Sequence, residues 1–380
     1  MSMHASSRAT ARGPEQAADE RFMTLALRLA RRGWGQVWPS VSVGCLLVKD
    51  GAIIAQGWTQ AGGRPHAEIH ALTQAGDAAR GATAYVTLEP CAHHGRAGPC
   101  CDALVEAGVT RAVIAMEDPD PRTCGQGIAR MRAGGIQVDL GVMAEEAQAV
   151  AAGFLLRVTL GRPLVTVKIA TSLDGRIAAH TGASRWITGP QARAFGHRLR
   201  AENDAIAVGG ATALMDDPTL DCRLPGLGHR SPVRVIIDGR LSLPLTAQMV
   251  RTASWHPTWV LTRQDSDKDR QRALKDAGVR VFTVPIHDGQ MDLPNALAIL
   301  GEMGLTRLLV EGGGRLIAGL LGADLIDALH WFRAPSVIGG DGIPAIAAYG
   351  VDTPDLARRF RRVDTVFLGE DLLESFTVER

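Results

Sequence analysis

Residues 65–75 read PHAEIHALTQA and residues 86–104 read VTLEPCAHHGRAGPCCDAL. The first stretch opens an apolar-periodic helix carrying His66 and Glu68, and the second places Pro90-Cys91 directly after a short strand, with Cys100 nine positions further on. One imidazole and two thiols suit zinc. Three protein ligands leave the fourth tetrahedral position open for water, which is the arrangement of a catalytic site rather than a structural one. Glu68, two residues beyond the first ligand, is then placed to accept a proton from that water and deliver it to a leaving amino group.

A His-x-Glu followed by Pro-Cys-x-x-Cys is the signature of zinc deaminases. Here eight residues separate Cys91 from Cys100, so the two thiols cannot share one helical turn and residues 92–99 must form a loop beside the metal. In that loop His93, His94 and Arg96 are suited to an anionic group such as a substrate phosphate. Cys101 follows Cys100 immediately, points elsewhere and reads as core. His70, four residues after His66, reads as a packed histidine, and Cys45, Cys124 and Cys222 read as structural.

Working outward, residues 21–32 show helical spacing, with Phe22, Leu25, Ala26 and Leu29 on one face, and residues 1–20 read as a frayed tail. Strands are expected at 43–48 and 53–58, joined through Lys49-Asp50-Gly51, where Asp-Gly supplies the positive backbone angles of a hairpin turn. A strand at 84–88, a helix from Pro99 to about Ala107 and a strand at 111–116 continue the alternation, which means a sheet covered by helices.

Near Gly161-Arg162-Pro163 the alternation restarts. Val165, Val167 and Ile169 share one face of a strand over 164–169 and Lys168 faces the other way. A helix is expected at 190–200 and strands at 205–208, 233–238 and 308–310, with closing strands in 340–380. Gly312, Gly313 and Gly314, between a buried strand and a helical segment at 316–321, would aim backbone amides at an anion, and Gly209-Gly210-Ala211-Thr212 forms a second such loop. The Gly312–Gly314 segment is not a dinucleotide fingerprint by itself, because no third glycine falls at the required spacing and no βαβ unit follows it, but two converging loops strengthen the dinucleotide case.

The 380 residues exceed what one core serves, and 46% hydrophobic with 21% charged residues describes two ordinary globular domains. A net charge of +1 gives no support to a nucleic-acid binder, and no stretch reaches the roughly 18 apolar residues of a membrane span. The expectation is a cytoplasmic enzyme with a small-molecule substrate, no nucleic-acid or membrane partner, and homo-oligomerisation left open.

The motifs resemble those of one family, the bifunctional riboflavin-biosynthesis deaminase/reductases. In the first half the match runs through residues 65–68, 85–96 and 99–104; in the second, through residues 168–176, 186–188, 216–218 and 310–313. The resemblance implies an α/β protein: a cytidine-deaminase-like three-layer domain over 20–160, after a disordered tail over 1–19, then a dihydrofolate-reductase-like α/β domain over 163–380. It implies hydrolytic loss of the 2-amino group from 2,5-diamino-6-ribosylamino-4(3H)-pyrimidinone 5′-phosphate, then NADPH-dependent reduction of the ribosyl chain of 5-amino-6-(5-phosphoribosylamino)uracil to ribityl.

By that likeness His66, Cys91 and Cys100 bind one Zn2+ per deaminase domain and Glu68 is the proton donor. NADPH would be lined by Ala170, Trp186, Thr212, Asp216, Gly313, Gly314, Arg315, Leu316, Ile317, Ala318 and Gly319. Ser184, Arg200, Leu220, Arg223 and Glu311 would hold the pyrimidine nucleotide. From their placement at strand and loop ends, Lys168 and Asp216 are candidates for easing opening of the sugar ring. Arg200 and Arg223 suit phosphate clamping. The chain departs from the family at Ser40-Val41, where Asn-Pro is usual, and at Thr59, where His is common.

Two other readings compete. A nucleoside or base deaminase with a non-catalytic second domain would not bind NADPH, and a base-flipping form would need more than 4% aromatic residues and a basic groove. A binding protein with a structural zinc would have no use for Glu68.

Overall fold

The computed structural model describes residues 13–93, 98–120 and 123–378, which divide into two compact units: residues 40–152 with the segment before Trp34, and residues 153–380 with Trp34–Pro39. In the first unit the elements are α1 (Pro14–Ala30), β1 (Gly44–Lys49), β2 (Ala52–Trp58), α2 (Ala67–Ala75), β3 (Thr83–Val86), α3 (Cys100–Glu106), β4 (Arg111–Ile114), α4 (Gln126–Ala133) and β5 (Gln137–Leu140). The division falls inside α5 (Ala144–Leu160).

The sheet order is β2-β1-β3-β4-β5, antiparallel among the first three strands and parallel beyond. Asp50 and Gly51 have φ of 51° and 75°, the two positive angles that turn β1 back into β2. Two glycines place the helical layers. A Cβ on Gly44 would lie 1.9 Å from the Ala26 carbonyl oxygen of α1, and one on Gly57 would lie 2.1 Å from that of Ala67 in α2. Gly57 pairs with Cys45 while Gly44 pairs with Trp58, so the two glycines sit on opposite faces of the sheet, and so do the helices that press on them. The result is three layers.

Helix α1 starts at Pro14, earlier than the apolar periodicity suggests, so residues 14–19 are helix and not tail. Asp19 accounts for the extension: it is buried, accepts from the Tyr85 hydroxyl at 2.8 Å, and takes both Nη atoms of Arg111 at 2.9 and 2.8 Å. A charge that reads as solvated on a tail is an anchor to β3 and β4.

In the second unit the order is β6 (Leu164–Thr171), β7 (Arg176–Ala178), α6 (Pro190–Ala201), β8 (Ala205–Gly209), α7 (Gly210–Asp216), β9 (Val233–Ile237), α8 (Gln248–Arg251) and β10 (Thr258–Arg263). Then come α9 (Lys268–Asp276), β11 (Arg280–Val284), β12 (Ile286–His287), β13 (Gln290–Met291), α10 (Leu293–Glu302) and β14 (Arg307–Val310). The unit closes with α11 (Gly314–Gly322), β15 (Ala328–Arg333), β16 (Ile343–Pro344), β17 (Phe360–Leu368) and β18 (Asp371–Val378).

Its main sheet runs β11-β10-β9-β8-β14-β6-β15-β18-β17, parallel from β11 to β15 and antiparallel at the last two strands. Val165, Val167 and Ile169 are buried against helices on one face, and Thr166 is buried on the other, as a central strand requires. Because β6, β8, β9 and β14 are parallel, Thr171, Gly209, Ile237 and Val310 all emerge at one end of the sheet. Ligands of open α/β sheets bind there.

Candidate active sites

Pro65 and the extended backbone of His66, which N-caps α2, deliver the imidazole and the Glu68 side chain from the start of that helix. Cys91 follows the end of β3, and Cys100 is the first residue of α3, N-capped by Pro99. The three ligating atoms lie within 4.8 Å of one another: His66 Nδ1 is 3.3 Å from Cys100 Sγ and 3.7 Å from Cys91 Sγ. For Zn–N and Zn–S bonds of about 2.0 and 2.3 Å, tetrahedral angles require an N to S edge of about 3.5 Å. The residues fit zinc. The backbone N–H of Cys100 points at Cys91 Sγ over 3.4 Å, a donor suited to a thiolate. The bond from Cys100 Sγ, opposed by burial and aided by His66, lowers the Cys91 thiol to about 4, while the same pairing, with burial, raises that of Cys100.

Glu68 is only 4% exposed, and burial pushes its carboxyl up to about 7 against the pull of His66. A carboxyl beside the ligands that holds a proton near neutrality is equipped to pass one. His70 is packed as expected, edge-on to Trp58 with Nδ1 3.0 Å from Gln60 Nε2. Cys101, Cys45 and Cys222 are buried, but Cys124 is exposed and so has no core role. His93 Nδ1 lies 3.3 Å from Thr123 Oγ1; His94 and Arg96 lie outside the described residues. Thr59 is buried and accepts from the backbone N–H of Val43 at 2.9 Å, so at this position the hydroxyl holds the start of β1.

Composition and spacing give no sign of Glu89, which is 3% exposed and accepts from four backbone N–H groups: Asp118 at 3.2 Å, Gly125 at 3.0 Å, Gly127 at 2.9 Å and Ile128 at 3.1 Å. It ties the Pro90-Cys91 turn to the start of α4. Only its place beside Pro90-Cys91 could have marked it.

In the second unit a cleft of about 470 Å³ is lined by Lys168, Trp186, His197, Arg200, Arg223 and Glu311 among others. Arg200 gives Nε and Nη2 to the two carboxylate oxygens of Glu311 and Nη1 to the Asp221 carbonyl, using three of its five N–H donors. Burial would raise the Glu311 carboxyl, but the Arg200 guanidinium overrides it and holds the group at about 2. Arg223 keeps an exposed head with Asp221 3.6 Å away, and Lys168 Nζ stands 5.7 Å from the centre of the Phe332 ring. Trp186 is 68% exposed, its face covered by Arg193 at 4.5 Å. Ser184 is exposed in the same segment, and Leu220 is buried with φ of 54°.

The two glycine loops do converge. A Cβ on Gly313, whose φ is 87°, would lie 3.3 Å from Thr212 Oγ1 and 3.7 Å from the Gly209 nitrogen. Gly313 N-caps α11, so Gly314, Arg315, Leu316, Ile317, Ala318 and Gly319 form its first two turns; of these Leu316, Ile317 and Ala318 are buried and serve the core. Gly210 is explained by packing, since a Cβ there would meet the Asp238 carboxyl at 2.7 Å. Asp216 is exposed at the last position of α7, and Ala170 is half-buried near the end of β6. His197 was not anticipated and lines the cleft.

Comparison with known proteins agrees with both halves. Residues 163–373 match the RibD C-terminal domain, and residues 16–116 match the cytidine and deoxycytidylate deaminase zinc-binding region. The chain is 40% identical over 365 residues to riboflavin biosynthesis protein RibD of Escherichia coli, covering 93% of this chain and 98% of that one. It is 39% identical to the Aquifex aeolicus protein of the same name, covering 94% and 98%. Among solved structures, Acinetobacter baumannii RibD superposes with a TM-score of 0.86 at 35% identity, covering 96% of this chain and all of that one. The Thermotoga maritima diaminohydroxyphosphoribosylaminopyrimidine deaminase/5-amino-6-(5-phosphoribosylamino)uracil reductase does so with a TM-score of 0.83 at 34% identity, covering 96% and 99%.

Proposed function

Because the chain belongs to the RibD family, the bifunctional zinc-dependent deaminases and NADPH-dependent reductases of riboflavin biosynthesis, we propose that its own residues divide the two reactions as follows. A deaminase domain over 20–160 removes the 2-amino group of the diaminopyrimidine ribosyl phosphate, and a reductase domain over 163–380 converts the ribosyl chain of the product to ribityl, in the cytoplasm. The observation that carries this reading is the convergence of His66, Cys91 and Cys100 around buried Glu68.

His66 Nδ1, Cys91 Sγ and Cys100 Sγ would hold the ion, which when bound would supply Lewis acidity to activate water at neutral pH. The Glu68 carboxylate takes the proton released from water and, as the acid, delivers it to the departing nitrogen. Glu89 keeps Cys91 in register by fixing the backbone that follows it. In the second domain NADPH supplies the hydride. The Gly312–Gly314 turn and Thr212 would seat the dinucleotide, with Trp186, Asp216 and Ala170 as further residues to hold it. Glu311, kept ionised by Arg200, and Lys168 face the sugar; Ser184 and Leu220 shape the wall of the cleft, and Arg223 faces the phosphate. Incubating purified protein with the diaminopyrimidine phosphate, with and without NADPH, tests both halves. Ammonia release should need no NADPH, and pyridine-nucleotide oxidation should follow deamination; absence of ammonia release from the zinc-loaded protein overturns the deaminase assignment.

A further inference from the structure

Resting on the reductase reading above, we infer that His197 is a substrate-binding residue of that cleft, donating from Nε2 to the 5′-phosphate of the nucleotide beside Arg223. His197 lies on α6, half-buried, and lines the cleft together with Lys168, Arg200, Arg223 and Glu311. Its Nδ1 is taken by the chain behind it: the Arg223 backbone N–H lies 3.3 Å away and the Asp221 carbonyl oxygen 3.2 Å away. With the ring neutral and Nδ1 accepting from the Arg223 N–H, the proton sits on Nε2. With the ring protonated, Nδ1–H turns to the Asp221 carbonyl and Nε2 is still a donor. In both of these states Nε2 is a hydrogen-bond donor, and a phosphate facing it favours them over the neutral form with Nδ1–H on the Asp221 carbonyl, whose Nε2 only accepts.

The surrounding charges explain why a phosphate needs this donor. Arg200 stands at the same wall, but its charge is balanced by the two hydrogen bonds to Glu311. Arg223 is the more exposed cation, and Asp221 at 3.6 Å offsets part of it. A phosphate monoester offers three strong acceptor oxygens, more than the two parallel hydrogen bonds of one guanidinium fork engage, so a further donor at this wall has an acceptor to meet. His197, bonded to the backbone nitrogen of Arg223 itself, supplies a second donor anchored to the residue that carries the first. Burial and the nearby Arg200 and Arg223 charges hold its pKa below the ordinary histidine range.

The test uses the full-length zinc-loaded protein and two reductase substrates, the phosphorylated aminouracil riboside and the same compound without phosphate. For His197→Ala, KM for the phosphorylated substrate should rise about tenfold or more, the loss of one hydrogen bond to a charged group. The unphosphorylated compound should react with unchanged kcat/KM, and His197→Asn should recover part of the loss. Turnover of the unphosphorylated compound, reduced in the same cleft, reports whether the reductase half of each variant is intact. An equal loss on both substrates, or none on either, overturns the inference; a wild-type protein that oxidises no NADPH with either compound overturns the reductase reading instead.

Discussion

Arg200 and Glu311 face each other through two parallel hydrogen bonds, Nε to Oε1 at 2.7 Å and Nη2 to Oε2 at 2.8 Å, with both side chains largely buried. Glu311 follows β14 directly, so this pair joins the central strand of the reductase sheet to α6. Its carboxyl is lowered from an ordinary 4.5 to about 2. A depressed carboxylate stabilises the folded state fully above its unfolded value and stops doing so as pH falls through its folded one. Stability of the second unit should therefore fall between pH 4.5 and about 2, by about 3 kcal/mol at most. Urea unfolding at each pH across that range, followed in place by tryptophan fluorescence, should show the loss. In Arg200→Met the carboxylate is left buried and unpaired, and the variant should be less stable at neutral pH by about 3–5 kcal/mol; an unchanged midpoint would show that the pair is inert.

Glu68 separates metal binding from chemistry. Glu68→Gln keeps the shape of the side chain, can still hydrogen-bond Cys100 and removes none of the three proposed ligands, so zinc content by atomic absorption should stay near one per chain. Ammonia release should fall by about 10²–10⁴-fold, the usual contribution of a placed acid or base. NADPH oxidation with predeaminated substrate should be unchanged. Deamination at the wild-type rate would remove Glu68 from the mechanism.

Chelation should likewise act on one half only. The proposed ligands come from the N-cap of α2, the turn after β3 and the first residue of α3, three separate segments that one ion would tie together, so ion binding should contribute to the stability of the first unit. Treatment with a strong chelator should abolish ammonia release, lower the melting temperature of the first unit and leave NADPH oxidation intact. Reloading with Co2+ should produce intense sulfur-to-metal charge-transfer absorption from Cys91 and Cys100; its absence would exclude a two-thiolate site.

The grouping of His66, Cys91 and Cys100 was legible because metal chemistry restricts residue type and spacing together. The β1–β2 turn was legible because Asp50-Gly51 is needed where two successive φ values are positive. What escaped was decided by partners distant in the chain. Asp19 reads as a solvated tail charge until Arg111, 92 positions later, is beside it. Strand β15, with sequence ALHWFR, breaks simple alternation because it lies between β6 and β18 with both faces partly covered. Helix α9 is so charged that only Gln271 and Leu274 are buried, leaving little apolar periodicity to detect. In the reductase cleft, Arg200 reads from sequence as a free phosphate clamp, whereas the fold commits most of its donors to Glu311 and Asp221.

Gly127 and Glu89 together give the sharpest test of how the backbone behind Cys91 is held. A Cβ at residue 127 would lie 2.1 Å from the Pro90 carbonyl oxygen and 3.2 Å from Glu89 Oε1, contacts that cannot be relieved without moving the turn that carries the ligand. Gly127→Ala should therefore lower zinc occupancy and ammonia release while NADPH oxidation persists. Glu89→Gln keeps the volume but offers one acceptor oxygen and an NH2 group to four converging N–H donors, at a cost of about 1–3 kcal/mol for each donor left unmet. That variant should weaken zinc retention in a competition with a chromogenic chelator. If zinc binding and deamination in both variants equal those of the wild type, the packing of α4 against the Pro90-Cys91 turn has no part in shaping the metal site.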